Sequence, residues 1–317
     1  MTKMLKTLKN WALLVSMLTG ILSYFIYVNI HALDGTHAFV GQTIAIVQPL
    51  LLFIMLFVSF CKVAPHELRP RRWMLKLLAV QVLSFSGMGL LVILLPDVPG
   101  RIVIEATMVC MICPTATSAS VITAKLHGSP STVVSYTCLI NLAASIVIPS
   151  VVSFIHEGAN DMGFLTSFTL IIGKVFPLLI LPLLSAWFVR YLMPRFHRKI
   201  LSYPDLAFNL WTVALSLAIA ITTKAVVHSN ESPLTLVLIA LASLVTCLVQ
   251  FAVGRIVGRR QKESIAGTQA LGQKNTIFAI WMGYTFLNPV TATAGGFYSV
   301  WHNIINSWQL WRERQQH

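Results

Sequence analysis

The sequence predicts an all-α membrane protein, and three observations carry that prediction. Of its 317 residues, 56% are apolar and only 10% charged, with a mean hydropathy of +0.76. A water-soluble domain carries about 25% charged residues, so 33 charged side chains are too few to coat a globule of this size. The apolar residues fall in runs of the length a helix needs to cross a bilayer, about 20 residues, and the charged residues fall in the gaps between them.

The first run, 11 to 33, follows Lys3, Lys6 and Lys9. That order resembles a secretory leader, but the run is longer than a leader's apolar region, so it reads as a retained span. The next runs are 39 to 61, 74 to 96, 102 to 126 and 131 to 155, then 164 to 189, 205 to 227, 233 to 254, 264 to 288 and 290 to 311. Turn and charged residues mark the breaks, from His66 to Arg72, Asp97 to Arg101, His156 to Asp161, Arg195 to Pro204 and His228 to Pro233. The chain thus reads as a single transmembrane domain over 1 to 317.

Charge distribution tests the count of ten. Lys and Arg concentrate in cytoplasmic loops, and here 19 of the 23 lie at the ends and in alternate gaps that share one side. The opposite side holds Arg101 and Lys224 with Asp34, Asp97, Glu157, Asp161 and Glu231, while Lys174 and Lys274 lie inside apolar runs. Both termini are expected in the cytoplasm. The net charge of +13 is spread over these clusters, so it marks topology and not a nucleic-acid surface.

Ten spans with both ends on one side form two sets of five in opposite orientation, about 11 to 156 and 164 to 312. In transporters built from inverted repeats, the binding site forms where helices of equal rank are interrupted near the midplane. Span four holds Cys113-Pro114-Thr115-Ala116-Thr117-Ser118-Ala119-Ser120, and span nine holds Gly267 to Thr276 with Gln269, Gln273, Lys274 and Asn275. Gln, Lys and Asn at midplane depth are costly unless they face protein or water. The two breaks, near 111 to 121 and 267 to 276, are expected to frame a central binding site.

Other chemistry is not encoded. HExxH, GxSxG, a phosphate-binding Gly-rich loop and paired intramembrane carboxylates are missing from the sequence, so no enzyme, metal site or cofactor is expected. The five cysteines lie within or beside apolar runs, and the Cys110-x-x-Cys113 spacing reads as helix packing.

These residues resemble the bile acid:sodium symporter family. Cys113, Pro114, Thr117 and Val121 fit the family's fourth-helix break; Gly272 and Asn275 fit its ninth; Gln81 matches a third-helix glutamine; Thr137 falls where the fifth helix offers a hydroxyl. The closest likeness is the tenth-helix stretch Phe297-Tyr298-Ser299-Val300-Trp301-His302-Asn303. The resemblance implies that the two breaks cross and that the chain transports a small organic anion by alternating access, and the electropositive site favours a carboxylate or sulfonate. Substrate contacts are expected from Thr117, Ser120, Asn275, His302 and Asn303, and ion-site or coupling roles from Lys274, Gln81, Thr137 and Gln273.

The departures bear on coupling. The family's Ser-Asn pair reads Ala119-Ser120, a serine is replaced by Val133, its glutamate by Ala270, and the glutamine before Asn275 by Lys274. Sodium needs about five or six oxygens, by the logic of other hard cations, and an ammonium 4 Å away would repel it by about 4 kcal/mol at an effective dielectric of 20. Sodium independence is therefore expected, with Lys274 in the volume of a lost ion. Two couplings stay open: Lys274 gains and releases a proton in each cycle, or it stays charged as a counter-ion for the anion. A conventional sodium symporter, an anion channel and a transporter-like sensor are the alternatives. Lys174, just before Pro177, reads as a snorkelling or ion-paired residue, with lining of the pathway as the other reading, and Glu105 as an interface charge. The lipid bilayer is the expected surrounding, a bacterial inner membrane the expected location, and the oligomeric state is not readable.

Overall fold

The computed structural model describes residues 12–156, 163–203 and 205–316. Lys3, Lys6, Lys9, Glu157, Asp161 and Pro204 lie outside the described residues. Helix occupies every one of the ten expected segments: α1 Ala12–Asn29, α2 His37–Cys61, α3 Arg72–Leu94, the pair α4 Arg101–Ile112 and α5 Ala119–Lys125, and α6 Pro130–Val152. After residue 163 come α7 Phe164–Leu192, α8 Pro194–Leu201, α9 Leu206–Val227, α10 Pro233–Arg259, the pair α11 Ser264–Gly272 and α12 Thr276–Phe286, and α13 Ala292–Gln316. The described residues hold helix and no strand beyond one isolated bridge. Six helices, α2, α3, α6, α7, α9 and α10, are long and apolar enough to cross a membrane, and α1 and α12 are apolar but shorter.

Helix starts follow local chemistry. Pro130 and Pro233 stand at the first helical position, where the missing N–H is no loss. Ser232 caps α10 by accepting from the Thr235 N–H at 3.2 Å. The turn into α4 uses Gly100 at φ 75°, a left-handed conformation that favours glycine. One expectation changes: the basic stretch read as a gap after span six contains α8. Its arginines and lysine face out, while His197 and Ile200 are buried and the His197 ring nitrogen Nε2 meets the Cys61 carbonyl at 2.9 Å. Two buried residues three apart, one of them hydrogen-bonded to the Cys61 carbonyl, dock this charged helix.

The helices sort into two groups. In one, α1 packs on α9, α2 on α7 and α2 on α9. In the other, α10 packs on α11, α13 and α4, α3 on α4 and α6, and α12 on α13. The two groups join through α6 on α7 and through a shared core that includes Leu52, Phe85, Val109, Leu179, Leu215 and Phe278. The second group holds both broken helices.

Candidate functional site

Pro114 explains the first break. Proline removes a helical N–H and pushes the preceding residue toward extended backbone, and Cys113 is extended at φ −48°, ψ 132°. In the second break Gln273 is extended at φ −87°, ψ 120°, and Asn275 starts the next helix by accepting from the Phe278 N–H at 3.2 Å.

An unwound backbone away from water must find partners for its polar groups, at several kcal/mol for each one left bare. Here each break supplies what the other lacks. Thr115 and Lys274 form an antiparallel bridge, the Ala116 N–H donates to Gln273 O at 3.0 Å, and the Asn275 N–H donates to Pro114 O at 2.8 Å. The Thr115 hydroxyl adds a bond to Ala270 O at 2.7 Å, and the Cys113 thiol one to Asn275 O at 3.5 Å.

Side-chain donors then cover the carbonyls at the ends of α4 and α11, where a helix leaves its last carbonyls unpaired. Gln81 of α3 donates its Nε2 to Met111 O at 2.8 Å and to Cys113 O at 3.2 Å. Its Oε1 accepts from the Tyr136 hydroxyl of α6. Gln250 of α10 donates to Cys110 O and to the Tyr298 hydroxyl, both at 3.2 Å, and Tyr298 of α13 donates to Gly272 O at 2.8 Å. Each half-helix end is thus held by a glutamine, a tyrosine or both.

Lys274 completes this cluster. Its side chain is 1% exposed, and Nζ lies 3.4 Å from Met111 O, the carbonyl that Gln81 also uses. Nζ sits at the C-terminal end of α4, the negative end of that helix's dipole. Among the described residues no carboxylate bridges it.

The other residues singled out in the sequence divide. Gln81, Lys274, Gln273 and Asn275 lie in the cluster; Gln273 accepts from the Ser118 hydroxyl at 3.1 Å and donates to Gln269. The Thr137 hydroxyl does not enter it, because it bonds back to Val133 O of its own helix at 2.9 Å. The hydroxyl that reaches the cluster belongs to Tyr136. One residue turns the helix by about 100°, which separates the two faces. Thr117 and Ser120 are half-buried and bonded to each other, Ser120 Oγ to Thr117 O at 3.3 Å. His302 is buried edge-on against Tyr298 at 5.7 Å, with no partner on Nδ1, and the Asn303 amide donates to Ser299 O of its own helix at 2.7 Å. Glu105 pairs with Arg101 at 2.7 Å.

Sequence reasoning missed Tyr136, Gln250, Tyr298 and Thr115 as members of the cluster. Gln250 carried the same signal as Gln81, an amide in the middle of an apolar run. A cavity of about 1150 Å³ lies apart from these groups, between α1, α2, α7, α9 and the end of α12. None of Thr117, Ser120, Asn275, His302 and Asn303 lines it, but Lys174 does, with no ion pair among the described residues. Of the readings of Lys174, the ion pair is not seen among the described residues.

No protein-family profile matches the chain, and no curated protein sequence matches it.

Proposed function

We propose that the chain is a sodium-independent secondary carrier of small organic anions, an atypical relative of the bile acid:sodium symporters working by alternating access. The observation that carries this reading is the meeting of two broken helices around the buried ammonium of Lys274. A fixed positive charge at that point supplies what a bound cation would supply: a donor for Met111 O and a counter-charge for the α4 terminus. It also makes a second cation unfavourable there.

Support for two inverted five-helix repeats comes from rank. The breaks are in the fourth segment of each set. The glutamines that cover them, Gln81 and Gln250, are in the third segment of each set, and their tyrosine partners, Tyr136 and Tyr298, are in the fifth. The helices packed apart from the breaks, α1, α2, α7 and α9, are the first and second of each set. The charge distribution favours cytoplasmic termini, and the apolar composition an integral membrane protein.

The test is thermal stabilisation of the purified protein by a panel of carboxylates and sulfonates, each with sodium and with choline in its place. Ligand binding to the folded state raises the melting temperature by mass action. The expected result is an anion that stabilises equally in both salts and drives counterflow of labelled anion in proteoliposomes. Stabilisation that requires sodium would overturn the tethered-charge reading, and stabilisation without saturable counterflow would replace the carrier with a sensor.

A further inference from the structure

The cavity between α1, α2, α7, α9 and α12 has a one-sided chemistry. Its walls are mostly apolar and aromatic, yet they carry Lys174, Lys224, His37 and His228, and among the described residues no Asp or Glu lines it. Lys174 is the eleventh residue of the 29-residue α7, about 15 Å along the axis from its start, so it lies well inside a helix long and apolar enough to cross a membrane. A lysine at that depth is expensive and marks a ligand or ion path. It is exposed to the cavity, its ammonium 5.8 Å from the centroid of the Phe286 ring.

A second observation points the same way. Gln48 lines the cavity and is 3% exposed, and its Nε2 has no hydrogen-bond partner. A buried amide donor without an acceptor costs about 1 to 3 kcal/mol, so the position calls for an acceptor that arrives with a ligand. Pro49 follows it in α2 and Pro177 lies across the cavity in α7. Each proline removes a helical hydrogen bond, and both line the cavity.

We infer that this cavity binds an organic anion with an apolar or aromatic body, the Lys174 ammonium and the Gln48 amide holding its anionic oxygens and the Trp281 side of the wall its body. The inference rests on the carrier reading only for its meaning in transport; the binding site stands on its own geometry. It also divides labour between two intramembrane lysines. Lys274 is sealed in the helix breaks and bonded to backbone, whereas Lys174 faces open space, so Lys174 is the one that meets the anion. Lys224 lies at the end of α9 and lines the cavity, where a soluble anion would enter and where an anionic lipid headgroup would also lie; the occupant we infer is the soluble anion, and the lipid arm of the test separates the two.

The test uses the full chain in phosphatidylcholine nanodiscs, with naphthalene-2-sulfonate and its uncharged analogue naphthalene-2-sulfonamide as probes, measured by equilibrium dialysis. The expected result is a roughly tenfold preference for the sulfonate. Lys174→Met should remove that preference without weakening the sulfonamide, Gln48→Leu should weaken the sulfonate several-fold, and Lys274→Met should leave the preference intact. Ala220→Trp, which fills the cavity, should abolish binding of both probes. Retention of the preference in Lys174→Met would overturn the inference, as would its loss in Lys274→Met. Suppression of sulfonate binding by phosphatidylglycerol in the disc would assign the cavity to lipid and overturn the soluble ligand. Lys174-dependent binding with no counterflow would sink the carrier reading alone; counterflow unchanged by Lys174→Met would sink the site alone.

Discussion

Lys274 is one side chain whose two proposed properties can be separated. If the ammonium only fills space, an apolar chain of similar length replaces it without loss. If the charge holds the breaks in their working arrangement, removal affects transport more than folding. Exchange of buried charged groups for apolar ones of similar volume is often neutral or stabilising. The Met111 carbonyl keeps its 2.8 Å bond from Gln81 in any case. Lys274→Met is therefore expected to melt at or above the wild-type temperature while anion counterflow falls at least tenfold. Wild-type counterflow in that variant would end the tethered-charge role. Gln81→Leu is the structural contrast: it strips Cys113 O and the Tyr136 hydroxyl of their partner and leaves Met111 O only the longer contact from Lys274 Nζ, so its melting temperature should fall together with transport.

At the scale of the element, apolar runs were legible because a helix in lipid must satisfy its backbone internally, so composition alone locates it. The run expected at 131 to 155 is the helix Pro130–Val152, and the polar stretch 267 to 276 begins in a helix and ends in the gap between Gly272 and Thr276. What was not legible is phase. Thr137 and Tyr136 are neighbours in sequence and point to different surroundings, and only packing decides which one meets Gln81. Tyr298 is hidden for the same reason, and the cavity more so, since five separate helices build it. Packing also fixes how α11 brings Lys274 to the cluster. The α10–α11 hairpin closes backbone on backbone: a Cβ on Gly254 would lie 2.3 Å from Gly267 O, and one on Gly267 would lie 2.5 Å from Gly254 O. Small residues permit such approach in membrane helices. Gly254→Ala must push α11 aside, at about 1 to 3 kcal/mol for an overpacked contact. Its melting temperature and counterflow should both drop, whereas Gly87→Ala, with nothing within 4 Å, should match wild type. Equal behaviour of the two variants would mean that the hairpin contact does not position the second break.

Over the whole molecule, the cavity and the charge pattern make a joint prediction about access. The cavity reaches the end of the bundle where α1 and α9 meet, with the Tyr24 hydroxyl 3.3 Å from the His228 ring and Lys224, Tyr284 and Thr285 on its wall. In the proposed topology this is the outer end. The opposite end carries a smaller cavity of about 320 Å³ lined by Arg255, Gln309 and Arg312 among others, on the side rich in Lys and Arg. A single cysteine at Thr285 should therefore react with a membrane-impermeant maleimide added outside cells, and bound naphthalene-2-sulfonate should slow that reaction. A cysteine at Gln309 should react only in inside-out vesicles. Four native cysteines are buried and give little background, and a Cys138→Ser host removes the one that is half-buried. Labelling of Thr285→Cys from the inside alone would reverse the topology and with it the assignment of the cavity to the outer face. Labelling of both positions from both sides at rates unaffected by the anion would describe an open passage, and the alternating-access carrier would give way to a channel.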